Sequence, residues 1–285
     1  MSLLLGSLVA GSPLAFSGKG REAALRQRGS GQAAWIFDVE PSHFEGDYDT
    51  GQEITFDVVT TRLRWQRGRG ELRVSVPFVR LESRGEVMVI GGAPAGPGRL
   101  RAPSEPPPPA RRRPNDDTES GLGDILLRGD VYLLEGGGRR PWLSAVGQVK
   151  LPTADEDKGL GTGETDVEGG LGLVQPLGKS TLFLDGRYTH LGDPPGIDLD
   201  NIVTTSVGLS HRLGRQAGAV AYAFLENRTD PIPGQDDRLD LFLGAGARPG
   251  RRGGMRVSGG VFIGLSDTAE DWGISLSLGR SFGKR

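Results

Sequence analysis

The sequence predicts an all-β protein, a twelve-stranded antiparallel transmembrane β-barrel. Three observations support this prediction: apolar and polar residues alternate with a period of two, the alternating segments are long, and short connections alternate with longer ones. Successive side chains of a β-strand point to opposite faces, so each alternating segment is a two-faced strand. A tilted strand needs about 9–11 residues to cross a bilayer, and these segments reach that length.

The alternating segments number twelve, an even number, and no stretch between them has a helical period. In chain order they cover residues 33–46, 53–67, 71–90, 121–135, 141–153, 164–177, 181–191, 201–213, 217–227, 238–247, 255–265 and 272–282. The tenth is representative, because Leu239, Leu241 and Leu243 alternate with Arg238 and Asp240. The second and third segments change phase near residues 58–59 and 78–79, which indicates either β-bulges or different strand boundaries.

The connections between the segments differ in length and composition. Residues 136–140, 178–180 and 214–216 are short, whereas 154–163 and 192–200 are longer and more polar. Short turns at one rim and longer loops at the other are typical of an outer-membrane barrel, so the short turns are expected to be periplasmic. Aromatic residues near the strand ends predict belts at the membrane interface. These are Trp35, Trp65, Trp142, Trp272 and Phe282.

Polar and charged side chains fall opposite the apolar row of most strands. If the apolar row meets lipid, this polar row lines the lumen, because a Lys or Arg facing lipid at mid-membrane costs ~2–4 kcal/mol. Twelve lumen-lining candidates follow: Arg128, Asp130, Gln148, Lys150, Asp166, Glu168, Asp185, Arg187, Glu226, Arg238, Asp240 and Arg256. They either pair across the lumen and close it, or line a water-filled path whose fields select solutes. A soluble β-sandwich has the same period, with its apolar faces packed inside.

Composition argues against several other classes of protein. The net charge of −2 lacks the basic field that nucleic acid requires. With no cysteine there is no disulfide or thiolate metal site, and His43, His190 and His211 lack the spacing of metal ligands. We therefore expect no metal, no cofactor and no catalytic residue. A barrel lipase stays as an alternative, since His211 falls on the apolar face, where a serine of a neighbouring strand could meet it.

The chain divides into three parts. Residues 1–17 are apolar and rich in small residues and resemble a secretory signal peptide, the alternative being an apolar first strand. Residues 18–32 form a polar N-terminal segment, and residues 33–285 form a single barrel domain. Its long proline-rich loop, residues 91–120, is expected to be a mobile external loop, or else an interdomain linker.

A set of short motifs gives the sequence a family resemblance. SGLGD at residues 120–124 is followed by VKLPT at 149–153, then by GTG at 161–163 and Asp166. This set resembles the outer-membrane transporter family of the meta-pathway of phenol degradation, most clearly from Ser120 to Leu213. The chain departs from the family at Ala154, where Gly or Asp is common, and it ends without the terminal aromatic residue of many barrels. The motif residues are suited to a strand corner, with Asp124 accepting backbone N–H bonds or facing the lumen.

The resemblance implies a β-barrel of the bacterial outer membrane with a transport-like role and supplies no catalytic residues. We therefore expect a porin-like, non-enzymatic protein whose partners are the lipid bilayer and a small solute, by resemblance an aromatic or apolar compound. The oligomeric state stays open. The alternatives are a structural or adhesive barrel with a closed lumen, a soluble β protein and the barrel lipase.

Overall fold

The computed structural model describes residues 34–85, 87–95, 117–214, 218–248 and 254–282. The predicted signal peptide, the polar segment 18–32 and most of the proline-rich loop lie outside the described residues. The strands are β1 Ala34–Gly46, β2 Ile54–Arg67, β3 Gly70–Ser83, β4 Met88–Ile90, β5 Ala93–Ala95, β6 Asp117–Leu122, β7 Ile125–Leu134, β8 Trp142–Leu151, β9 Asp166–Leu177, β10 Ser180–His190, β11 Ile202–Leu213, β12 Ala219–Arg228, β13 Arg238–Ala247, β14 Met255–Gly264 and β15 Trp272–Phe282.

These strands form one closed antiparallel barrel and one small hairpin. Each barrel strand pairs with its sequence neighbours, and β1 closes the ring on β15, with Trp35 opposite Phe282. Strands β6 and β7 both pair with β3 and together make one barrel strand, so the barrel has twelve strands, as predicted. The hairpin β4–β5 forms a separate two-stranded sheet. No helix among the described residues is long and apolar enough to cross a membrane.

The register contains two irregularities, and the first lies opposite residues 76–77 of β3, next to the predicted position 78–79, with the extra residue on the partner strand. Between β6 and β7 the pairing with β3 shifts by one residue at Gly123 and Asp124. A second shift lies between Tyr132 and Leu134, against β8. The pairing of β2 with β3 is continuous, so the phase change in those segments is not a bulge. It reflects an apolar stretch of the inner wall, described below.

The apolar rows form the outer surface of the barrel. Leu171 is 54% exposed and Val261 42%, and Leu143 and Leu241 are half-buried on the same face. Large exposed apolar side chains lie on every barrel strand except β8, whose outward apolar side chains are half-buried, whereas the polar rows lie inside. A single closed sheet with this outer surface excludes the soluble sandwich, whose apolar faces would be packed together. The protein therefore presents an apolar surface to lipid.

The two ends of the barrel differ. The turn rim is the end at which β2, β7, β9, β11 and β13 end and the strands that follow them begin, and the loop rim is the opposite end. Trp35, Trp272 and Phe282 are exposed at strand ends, as expected for interface belts. Trp142 was predicted to join them but lies on the inner face, buried against the wall at the turn rim.

Candidate functional site: the inner wall of the barrel

All twelve predicted lumen-lining side chains lie on the inner face. Nine of them are buried, and Arg128, Asp130 and Asp185 are half-buried beside them. Within Arg238–Ala247, for example, Arg238 and Asp240 are buried while Leu239 and Leu241 are half-buried on the other face. The geometry thus brings these residues to one surface. A role for them in solute passage is a proposal, taken up below.

Arg187 is the centre of an ion-pair network in the middle of the wall. Its Nε lies 2.6 Å from Asp185 Oδ1, and its Nη2 lies 3.0 Å from Glu226 Oε2. Its Nη1 is 3.6 Å from Glu168, which in turn lies 3.8 Å from Arg128 Nη1. The network joins β7, β9, β10 and β12 along the wall. Its charges therefore compensate one another within this group of strands.

A second group of charges lies towards the turn rim, and sequence reasoning missed it. Arg62 contacts Asp38 at 3.3 Å and Glu40 at 2.8 Å, and Arg64 contacts Asp38 at 2.9 Å. Arg73 pairs with a glutamate two residues away on its own strand, at 2.8 Å. The sequence contained a usable signal for this group. Arg62 and Arg64 are two residues apart on β2, and the acids Asp38 and Glu40 have the same spacing on the neighbouring strand β1.

The corner predicted from the family motif is present between β6, β7 and β8. Asp124 Oδ1 accepts from the backbone N–H groups of Thr153 and Ala154, both at 3.0 Å. The Thr153 hydroxyl donates to the carbonyl of Gly123 and accepts from the N–H of Ile125. Lys150 Nζ adds an ion pair to Asp124 at 3.4 Å and one to Asp166 at 2.8 Å. The motif residues thus hold the loop 152–165 against the wall.

Aromatic side chains form a second feature of the inner wall that was not nominated from the sequence. Successive rings touch, with centroid separations of 5.5 Å for Phe183–Phe224, 5.6 Å for Tyr222–Phe242 and 4.2 Å for Phe242–Phe262. The series continues from Phe262 to Phe44 at 5.3 Å. All the rings are buried. The inner wall is therefore partly apolar, which the alternating pattern alone did not indicate.

Glycines under these rings explain part of the unusual glycine content. A Cβ on Gly208 would lie 2.1 Å from the ring of Phe224, and one on Gly273 would lie 2.0 Å from the ring of Phe44. A glycine on the neighbouring strand thus lets each ring lie flat along the wall.

The hairpin β4–β5 crosses the mouth of the barrel at the loop rim. It leaves β3 and reaches the opposite wall, where a Cβ on Gly91 would lie 2.1 Å from Arg228 Nη2 and 2.9 Å from Ile202 Cδ1. The N–H of Val89 donates to the carbonyl of Gly159 at 2.8 Å. Ile90 packs with apolar residues of the loops that follow β10 and β12. Part of the loop predicted to be external, residues 91–95, therefore lies in the mouth, and residues 117–120 belong to β6.

The space left around the hairpin is small. Cavities of about 20 to 30 Å³ adjoin its tip, Gly91 and Gly92. Such a volume holds one or two water molecules. Beside the hairpin, Tyr48 is fully buried with Arg238 over its ring, and burial raises the pKa of the Tyr48 hydroxyl. The described part of the mouth is therefore filled by protein, and a solute larger than water needs the hairpin to move.

The histidines lie on the outside of the barrel or at its rims. His211 Nδ1 lies 2.9 Å from the hydroxyl of Ser180 on the neighbouring strand, which is the pairing that the lipase alternative required. Among the described residues, none hydrogen-bonds the other ring nitrogen of His211 in the way that the third member of a catalytic triad orients its base. Within the described part of the chain, no cluster of three or more metal-ligating side chains is arranged to hold an ion.

The closed barrel, its apolar outer surface and its polar inner wall define a β-barrel of the bacterial outer membrane. The chain belongs to the family described as "Putative MetA-pathway of phenol degradation", whose model matches residues 27–282. The predicted family and localisation are thereby confirmed. No curated protein matches the chain.

Solved structures give the same fold. The barrel is similar to the COG4313 outer membrane channel from Pseudomonas putida F1, with a TM-score of 0.60 at 16% identity over 88% of this chain and 96% of that one. A KdgM porin has a TM-score of 0.49 at 6% identity, covering 86% and 99% of the two chains. The β domain of the Bordetella autotransporter BrkA has a TM-score of 0.46 at 14% identity, covering 88% and 100%. Only the first score exceeds 0.5, and it supports the fold alone.

Proposed function

We propose that the barrel carries small solutes across the outer membrane through its lumen and that the hairpin β4–β5 limits the rate. The observation that carries this proposal is the hairpin itself. It fills the mouth but belongs to no ladder of the barrel, so it can move while the wall stays intact. A purely structural barrel has no need of a separate element across its mouth.

The charges of the inner wall are paired, as a polar lumen requires. The network around Arg187 and the pairs of Arg62 and Arg64 join side chains of nearby strands, so most of these buried charges have an opposite charge beside them. The similar barrel from Pseudomonas putida is described as an outer membrane channel. We further propose that the solutes are small aromatic or apolar compounds, which the family and the aromatic inner wall favour.

Substitution at the hairpin tip tests the proposal. Gly91→Val places a branched side chain at a φ of +53° beside Arg228 and Ile202, so the hairpin tip has to move away from these two residues. Gly138→Val is the matched control, because Gly138 has a φ of +61° with open space around it and lies at the turn rim. Both variants are reconstituted in planar bilayers, and folding is checked by heat-modifiable gel mobility.

The expected result is a low, fluctuating conductance for the unmodified chain, a conductance several-fold higher for Gly91→Val, and no change for Gly138→Val. If all three folded proteins leave the bilayer insulating, the barrel is a closed structural one and the proposal is wrong.

A further inference from the structure

We propose that the inner wall carries a continuous binding path for flat apolar solutes, an inference that rests on the proposed passage function. The path is a row of residues on eleven adjacent barrel strands, each the cross-strand partner of the next. In order this apolar row is Trp142, Val174, Phe183, Gly208, Phe224, Phe242, Phe262, Gly273, Phe44, Phe56 and Leu81.

The apolar row runs from one rim to the other. Trp142 is the first residue of β8, at the turn rim, whereas Leu81 lies two residues from the loop-rim end of β3. In between, Phe183 is three residues from the turn-rim end of β10, and Phe262 is two residues from the loop-rim end of β14. Strands of a barrel tilt against its axis, so a row of direct partners climbs the wall. The row therefore links the two sides of the membrane.

The rings of the row lie along the wall. Phe224 covers Gly208 and Phe44 covers Gly273, so neither glycine interrupts the apolar surface. Beside the row, Tyr222 lies over Gly244 in the same way, with its hydroxyl 3.4 Å from the carbonyl of Gly259. The rings are buried in this state, so a solute has to displace the side chains that cover them, and a flat apolar solute then stacks on the ring faces in offset geometry.

The two rows beside the apolar row differ from each other. On one side the cross-strand partners are small or hydroxylated apart from Tyr222: Ser210, Tyr222, Gly244, Gly260, Ser275 and Ser42. On the other side are the carboxylates of Asp185, Glu226 and Asp240. The small residues accommodate the rings of Tyr222 and Phe242, and a donor group of the solute shares the carboxylates with Arg187 and Arg238, which already pair with them. The path thus fits a solute with one flat apolar part and one polar hydrogen-bond donor.

The hairpin closes the loop-rim end of this path. Val89 packs in the same apolar cluster as Phe56 and Leu81, the last residues of the row. A cavity of about 20 Å³ lies between Val89, Phe56 and Val58. Movement of the hairpin therefore uncovers the entrance to the apolar row, which joins the rate-limiting element of the proposed function to the path.

The test compares the fluxes of free phenylalanine and free glutamine across liposome membranes that contain the barrel. Both are zwitterions, which a lipid bilayer alone does not let through. The double variant Phe242→Leu, Phe262→Leu keeps apolar side chains but removes two ring faces from the middle of the row. The matched control is Phe37→Leu on the lipid-facing surface. We expect the phenylalanine-to-glutamine flux ratio to fall at least threefold in the double variant, with glutamine flux within twofold of the unmodified chain. Phe37→Leu is expected to keep the ratio. A correctly folded double variant with an unchanged ratio overturns the path.

A binding measurement separates this inference from the proposed function. Replacing Trp35, Trp65 and Trp272 by Phe leaves Trp142 as the single tryptophan, at the turn-rim end of the row. We expect saturable quenching of its fluorescence by 4-nitrophenylalanine, reversed by excess phenylalanine and weakened by Phe183→Leu. Quenching without any flux means that the path stands and the passage function fails. Flux with neither quenching nor a change in the ratio means that passage stands and the path is wrong.

Discussion

Arg187 and Glu226 form an ion pair across an intervening strand, with Nη2 on β10 lying 3.0 Å from Oε2 on β12. Both side chains are buried, Arg187 to 3% exposure and Glu226 to 1%. Removing one partner of a buried pair leaves the charge of the other buried and unpaired, and this costs about 3–5 kcal/mol. Removing both partners costs much less.

We therefore expect Arg187→Met to lower the free energy of unfolding by about 3–5 kcal/mol. Urea unfolding in detergent micelles, followed by tryptophan fluorescence, measures the change. The double variant Arg187→Met, Glu226→Gln is expected to recover only the part of the loss that comes from the charge of Glu226, because Asp185 and Glu168 also lose their partner. Equal losses in the single and double variants would show that the pair is solvated and that the charge of Glu226 is not buried.

The ring of Phe224 requires a glycine beneath it. Gly208→Ala places a methyl group 2.1 Å from that ring, so the ring has to rotate off the wall, and overpacking of this kind costs about 1–3 kcal/mol. Gly169→Ala is the control, because no atom lies within 4 Å of its added Cβ. Thermal unfolding should separate the two variants, and adding Phe224→Leu to Gly208→Ala should restore part of the loss. A Gly208→Ala barrel as stable as the control would show that the ring is not confined to the wall.

The depth of a lipid-facing residue sets the cost of charging it. Leu171 and Leu177 belong to the same strand and are about equally exposed, but Leu177 is the last residue of the strand at the turn rim. An arginine at mid-membrane costs ~2–4 kcal/mol and one near the interface ~0–1. Leu171→Arg should therefore destabilise a barrel folded in lipid vesicles by several kcal/mol more than a detergent-folded one, and Leu177→Arg should have little effect in either. Equal effects of the two substitutions in lipid would contradict the assigned outer surface.

Asp124 fixes the corner between β7 and β8 by accepting two backbone N–H bonds. Asp124→Ala leaves the N–H groups of Thr153 and Ala154 without this acceptor, at a cost of about 1–3 kcal/mol. Asp155→Ala, in the exposed part of the same loop, is the control. We expect faster hydrogen exchange of residues 152–165 in the first variant only. Unchanged exchange in Asp124→Ala would mean that the corner is held by other contacts.

The barrel was predictable because period two is a strong constraint on a strand with two different environments. The alternation of Leu239, Leu241 and Leu243 with Arg238 and Asp240 placed β13 within its observed bounds, and β14 and β15 were placed equally well. Every strand that separates lipid from a polar wall carries this signal. Few other folds are compatible with twelve such strands joined by alternately short and long connections.

The hairpin and the apolar inner wall were not predictable for the same reason. Phe56 and Val58 face inward on β2, as do Val79 and Leu81 on β3, because Val89 of the hairpin packs against them. Near the loop rim the inner face of these strands is apolar and the outer face carries Asp57, Arg80 and Glu82, so the alternation changes phase along the strand. The inward apolar residues are explained by their contact with the hairpin, which is a different segment of the chain. Alternation along one strand carries no information about such a contact.

The most direct measurement of the central claim is the water accessibility of two adjacent residues, Leu276 and Ser277 on β15. The chain contains no cysteine, so single-cysteine variants have no background. Leu276 is 46% exposed on the outer surface, and Ser277 lies on the inner wall. In vesicles, Ser277→Cys should react with a water-soluble charged thiol reagent, faster when combined with Gly91→Val, and Leu276→Cys should not react. Rapid modification of Leu276→Cys, or a Ser277→Cys that stays unreactive even with Gly91→Val, would contradict a barrel that is wetted inside and bounded by lipid outside.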